Sequence, residues 1–136
     1  MTGGPELTDA DYRALARFRY ALRVFLRFSE RAAREAGVTP AQHQLLLAAR
    51  GFDDGAPSTA DLAEMLQQTH HAVVELIDRA EAAGLVIRTV DPDDARRRLI
   101  SLTPRGQEIL DALTSAHRTE LRRLRTDLQE ALRTVR

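Results

Sequence analysis

Three consecutive arginines, Arg96, Arg97 and Arg98, follow the turn-forming run Asp91-Pro92-Asp93-Asp94. Guanidinium groups carried on a turn can enter a nucleic-acid groove or grip phosphate oxygens with a planar fork of donors. Short apolar runs flank them, Val86 and Ile87 before and Leu99, Ile100 and Leu102 after, so this stretch predicts a β-ribbon with a charged end. Side chains alternate across a strand, so at most one of Arg97 and Arg98 shares a face with Arg96 and the other is expected to be a solvated charge.

A second set of polar groups precedes the ribbon. Thr69 opens a helix running to about Ala83, and its N-terminal half offers His70, His71, Val74 and Glu75 to a major groove. Imidazole donates or accepts, glutamate accepts from cytosine N4, and valine meets a thymine methyl. Each of these side chains is equally compatible with an exposed helix position that touches nothing. Ser58, Thr59, Gln67, Gln68 and Thr69 fall near helix N-termini, whose free N–H groups suit phosphate oxygens.

Other chemistries find little support. His71 and Glu75 have the i, i+4 spacing of a metal-binding pair, but His43 and His117 lie elsewhere and the chain has no cysteine. No metal site, no cofactor and no disulfide is expected. No nucleophile is spaced for activation by a base and no Gly-rich phosphate loop occurs, so the chain does not read as an enzyme.

The elements that must position these groups follow from capping and periodicity. Thr8 or Asp9 caps a helix to about Ala36, stopped by Gly37, with Leu15, Phe18, Leu22, Phe25 and Leu26 as its buried stripe. Four of the six aromatics lie between Tyr12 and Phe25, which implies a partner surface. Thr39-Pro40 starts a short helix to Arg50-Gly51, and residues 52–57 form a loop. Ser58 with Asp61 has capping-box spacing and opens a helix burying Leu62, Ala63 and Leu66. After a turn at Gln67-Gln68-Thr69, the next helix buries Val73, Leu76, Ile77 and Ala80 and ends at Gly84. Beyond the ribbon, Thr103-Pro104 begins a helix whose apolar positions run Leu110, Leu113, His117, Leu121, Leu124, Leu128, Leu132 and Val135. These spacings form an eleven-residue repeat, which suits a straight helix. Thr126 and Gln129 have capping-box spacing and leave open a break there.

The order helix, turn, helix, ribbon, helix is that of a winged helix-turn-helix. The expected fold is therefore mainly α with a small β-ribbon: a winged helix-turn-helix lobe over about 39–103, and N- and C-terminal dimerisation helices over about 8–36 and 104–136. All 136 residues are expected to form one domain.

Net charge is zero, with all twenty basic residues arginine, a usage that GC-rich coding would also produce. Residues 37–84 carry two Arg against seven acids, whereas 88–105 carry five Arg against three Asp. Any DNA affinity must then lean on the ribbon, because phosphate neutralisation supplies most sequence-independent binding energy. No run approaches the roughly 18 apolar residues of a membrane span and no signal-peptide pattern is present, so a soluble, cytoplasmic protein is expected.

The chain resembles the multiple antibiotic resistance regulator (MarR) family of bacterial winged-helix transcription factors. The resemblance rests on Leu62-Ala63, Ile77-Asp78-Arg79, Gly84-Leu85-Val86-Ile87-Arg88, Asp94-Ala95-Arg96 and Leu102-Thr103-Pro104-Arg105-Gly106. The family's wing pattern is an aspartate and an arginine two residues apart, then after five more residues a leucine-threonine, and then a glycine. Asp94, Arg96, Leu102, Thr103 and Gly106 match it, while Asp93 stands where a longer version often has an arginine. The resemblance implies that Arg96 enters the minor groove with Asp94 holding its guanidinium, and that the helix from Thr69 is the recognition helix. The competing reading is that Asp94 and Arg96 only staple the hairpin.

It also implies a homodimer on a palindromic operator, a repressor, and a small aromatic effector bound between the dimerisation helices and the winged lobe. Tyr20, Arg23, Arg27 and His43 are the candidate effector residues. A rival reading keeps the winged fold as a protein-interaction module that has lost DNA binding, motivated by the acidic helix-turn-helix.

Overall fold

In this computed structural model the described residues are residue 4 and residues 6–135. Two compact units divide the chain, one of residues 33–115 and one of residues 1–32 with 116–136. Their boundaries fall inside the two long terminal helices.

Residues 33–115 hold the last residues of α1 (Asp9–Glu35), then α2 (Pro40–Arg50), α3 (Thr59–Leu66), α4 (His70–Ala82), β1 (Val86–Asp91), β2 (Asp94–Leu102) and the start of α5 (Pro104–Leu132). Three side-chain caps start the middle helices. Thr39 and Gln42 form a capping box, Ser58 and Asp61 form another, and Thr69 accepts from the Ala72 N–H at 3.1 Å. Each satisfies N–H groups that have no partner within the helix. The core is apolar: Leu45, Leu46, Leu62, Val73, Ile77, Leu85, Val86 and Ile100 are all but inaccessible. Burial of that many branched side chains, each contributing about 1.5–3 kcal/mol, fixes how the three helices pack.

The ribbon is antiparallel, with Val86 opposite Leu102 and Val90 opposite Arg98, and a bulge between Val90 and Asp91. Its strands extend past the apolar residues and take in the arginines. A bridge from Ser58 to Leu99, and the Ile100 N–H donating to the Pro57 carbonyl at 2.9 Å, fasten β2 to the chain entering α3.

The motif following the ribbon is a fastener. Thr103 Oγ1 donates to the Gly84 carbonyl at 2.6 Å and accepts from the Gly106 N–H at 3.0 Å. The Thr103 N–H donates to the Leu85 carbonyl at 3.0 Å, and Arg105 Nη1 to that of Ala83 at 2.9 Å. A Cβ at position 106 would sit 2.1 Å from the Leu85 carbonyl oxygen, so only glycine lets α5 pass this close. Gly84, at φ +74, turns the chain out of α4 in the left-handed region.

Residues 1–32 and 116–136 form the second unit. Ala14, Ala21 and Ser29 of α1 and His117 and Ala131 of α5 are buried. His117 Nε2 lies 2.9 Å from Ser29 Oγ, and the rings of Phe25 and Phe28 meet the imidazole edge-on at 5.8 and 5.1 Å. The expected α1 stripe is displaced: Phe18, Leu22 and Phe25 are half-buried, but Leu15 is 63% and Leu26 50% exposed. Small residues at 14 and 21 centre the packed face, because they let another helix approach closely, and rotate Leu15 and Leu26 outward. Thr126 does not break the last helix. Its hydroxyl donates back to the Arg122 carbonyl at 3.2 Å and α5 runs on to Leu132. Among the described residues no helix is long and apolar enough to cross a membrane.

Candidate nucleic-acid interface

The candidate site begins at the α3 capping box. The Ser58 N–H donates to Asp61 Oδ2 at 2.9 Å and the Asp61 N–H to Ser58 Oγ at 3.2 Å. Ser58 is buried, its hydroxyl engaged as the cap, and Thr59 beside it is half-buried. The backbone N–H from Ser58, assisted by its hydroxyl and by the Arg97 charge, holds the Asp61 carboxyl below the usual carboxylate range against the opposing effect of burial.

Arg97 comes from β2 to the same carboxylate, Nη2 to Oδ2 2.9 Å, with Asp91 Oδ2 3.9 Å from its Nε. Of the three wing arginines it is the structural one. Arg98 Nη1 donates to the Ala95 carbonyl at 3.0 Å. Asp94 accepts from the Arg96 backbone N–H at 3.0 Å and makes no ion pair with the Arg96 guanidinium. The expected guanidinium clamp is thus a backbone clamp: an aspartate whose oxygen meets the N–H two residues on forms a local turn. Arg96 is left exposed, its guanidinium without an ion pair among the described residues.

These elements converge on a groove of about 520 Å³ lined by Ser58, Thr59, Ala60, Asp61, His70, Asp94, Arg96, Arg97 and Arg98. A second, more open depression of about 650 Å³ is lined by Ala60, Ala63, Glu64, Gln67, Gln68, Thr69, His70 and Ala72. His70 belongs to both. The start of α3, the start of α4 and the wing therefore form one continuous surface.

On α4, His70, His71 and Glu75 are exposed and Val74 is half-buried. His71 Nε2 lies 3.4 Å from Glu75 Oε1, a helical i, i+4 pair. Gln67 adopts φ 51 as the C-cap of α3, and its amide donates to the Glu64 carbonyl at 2.7 Å, which orients it locally. Gln68 and Thr69 are exposed. No cluster of three or more metal-binding side chains occurs among the described residues. Of the effector candidates, Tyr20, Arg23 and Arg27 stand exposed in the unit of residues 1–32 and 116–136, and His43 is buried in the other.

Sequence reasoning overlooked Arg88. From β1 it reaches back to α4, with Nη1 2.9 Å from Glu81 Oε1 and Nη2 against Asp78 Oδ1. The acidic character of residues 37–84 changes meaning with this pairing. Asp61 faces Arg97, Asp78 and Glu81 share Arg88, and Glu75 faces His71, so four of the seven acids lie against a basic side chain. The only advance signal was the placement of Arg88 two residues into the strand after an acid-bearing helix.

The sequence pattern of the MarR family matches residues 36–97. The HTH-type transcriptional regulator PapX of Escherichia coli is 34% identical over 71 residues, covering 52% of this chain. The match spans 43% of that relative's length. Among solved structures, the S. aureus MepR–DNA complex is similar at TM-score 0.70 with 25% identity, covering 90% of this chain and 86% of that one. AbsC, a MarR family transcriptional regulator from Streptomyces coelicolor, shares the fold at TM-score 0.75 with 24% identity, over 95% of this chain and 93% of that one.

Proposed function

We propose that this chain, whose residues 36–97 match the pattern of the MarR family, is a winged helix-turn-helix transcription regulator of that family and binds double-stranded DNA as a homodimer on a palindromic operator. The observation that carries the reading is the groove that joins Thr59, His70 and Arg96 on three separate elements. In this reading Arg96 enters the minor groove, where narrow stretches concentrate negative potential. His70, His71, Val74 and Glu75 face base edges in the major groove, and Thr59, Gln67, Gln68 and Thr69 meet phosphates. Two-fold symmetry would place the two α4 helices about one DNA turn apart.

Regulation as a repressor that responds to a small aromatic effector is the finer part of the proposal, supported by the family alone. Tyr20, Arg23, Arg27 and His43 are the residues to substitute when an effector is tested. The interaction-module alternative drew on the acidic helix-turn-helix, and the pairing of those acids removes most of its motive. Selection of bound genomic fragments followed by footprinting tests the DNA reading. It predicts protection of a palindrome with half-sites one turn apart, and recovery of no fragment above background contradicts it.

A further inference from the structure

Asp78 and Glu81 are the least expected residues on a helix meant to approach phosphates. Asp78 lies three positions after Glu75 and seven after His71, so it continues the outward stripe of α4. Its side chain is 59% exposed and that of Glu81 44%. Arg88 lies beneath them at 24% exposure, one guanidinium serving both carboxylates through different nitrogens. A fork of donors holding two acceptors is a geometry that lysine cannot reproduce.

Partly exposed pairs of this kind contribute little to folding stability, because solvent screens them and ordering long side chains opposes them. Their consequence for an approaching polyanion is larger. Without Arg88 the second half of α4 would carry two unpaired carboxylates against the single charge of Arg79, on or beside the face turned to DNA, and like charges opposed across an interface are costly.

We propose that Arg88 is a charge-masking residue for DNA binding: it cancels Asp78 and Glu81 so that the recognition helix can seat against phosphates. The inference rests on the DNA-binding reading and assigns Arg88 no phosphate contact of its own. It turns β1 from a plain wing strand into the source of the counter-charge for α4, as Arg97 of β2 is for Asp61 in α3.

The test is a thermodynamic cycle read by fluorescence anisotropy on a labelled duplex of mixed sequence, about 30 base pairs long, at low salt, where non-specific binding is mainly electrostatic. Arg88→Met is expected to weaken binding about ten-fold, and Asp78→Asn with Glu81→Gln in that background to restore it to within about three-fold of wild type. The same two neutralisations with Arg88 present should gain clearly less than they gain without it. Arg88→Lys keeps the charge, loses the fork and should fall between, and it serves if Arg88→Met fails to fold by circular dichroism. Equal gains in the two backgrounds, or a triple variant as weak as Arg88→Met, overturn masking while leaving DNA binding intact. A wild-type protein that binds no duplex at any salt overturns both, since no binding would remain for Arg88 to assist.

Discussion

Arg97 of β2 and Asp61 in the first turn of α3 lie 2.9 Å apart across 36 residues of sequence, and this pair couples the wing to the helix-turn-helix. Asp61 is also one half of the α3 capping box, so a single carboxylate starts a helix and anchors a ribbon. The arginine beside it in sequence, Arg96, is exposed and makes no ion pair among the described residues.

Arg96→Ala and Arg97→Ala should therefore fail in different ways. Loss of Arg96 is expected to weaken DNA binding by about ten-fold or more and to lower the salt slope by about one unit, with thermal unfolding unchanged. Loss of Arg97 should lower thermal stability only modestly, by about 1 kcal/mol or less, because the pair is partly exposed, with a smaller effect on affinity. Anisotropy titrations at several salt concentrations and melting curves on the same preparations separate the two, and identical behaviour of both variants would contradict the division of labour.

The Asp61 carboxyl predicts a pH dependence of definite sign. Its folded-state pKa lies below the ordinary value, so its contribution to stability is present above the unfolded-state pKa and is lost as pH falls through the folded-state value. Asp61→Asn should thus cost about 1 kcal/mol at neutral pH, and wild type and variant should converge well below about pH 4. Urea unfolding followed by circular dichroism at both pH values reads the difference, and a gap that persists in acid would contradict it.

Gly106→Ala is expected to be among the most destabilising single-methyl changes, by about 3 kcal/mol, because the new Cβ meets a backbone carbonyl that has no room to retreat. Thr103→Val should cost about 1–2 kcal/mol through loss of its hydrogen bonds to Gly84 and Gly106. Denaturant midpoints measure both, and a Gly106→Ala protein as stable as wild type would show that α5 does not pass as closely as described.

Much of the architecture was legible because it is written locally. Thr39, Ser58 and Thr69 announce three helix starts within three residues each, and Asp91 to Asp94 announce the turn of the ribbon. What was illegible depends on contacts between distant residues. No periodicity tells that Arg97 faces Asp61, that Arg88 faces Asp78 and Glu81, or that Asp94 serves a backbone N–H. The burial of α1 is illegible for a related reason: apolar residues occupy two adjoining faces, and the alanines at 14 and 21 decide which one packs.

The other face of α1 carries a prediction of its own. Tyr12, Leu15 and Leu26 are exposed, with Leu15 and Leu26 three helical turns apart on one side. A homodimer that covers them is expected to sediment as a dimer at micromolar concentration, and Leu15→Asp with Leu26→Asp to raise its dissociation constant by about ten-fold or more. Sedimentation equilibrium checks this, and a wild-type monomer would contradict it.

The central claim is that the joined surface of α3, α4 and the wing binds DNA through Arg96. Its most direct test is the salt dependence of binding to a duplex from the protein's own upstream region, measured for wild type and Arg96→Ala. Wild type is expected to show a steep linear fall of log affinity with log salt, and the variant a weaker affinity with a slope shallower by about one unit. Superimposable curves for the two proteins, or no binding at low salt, would contradict it.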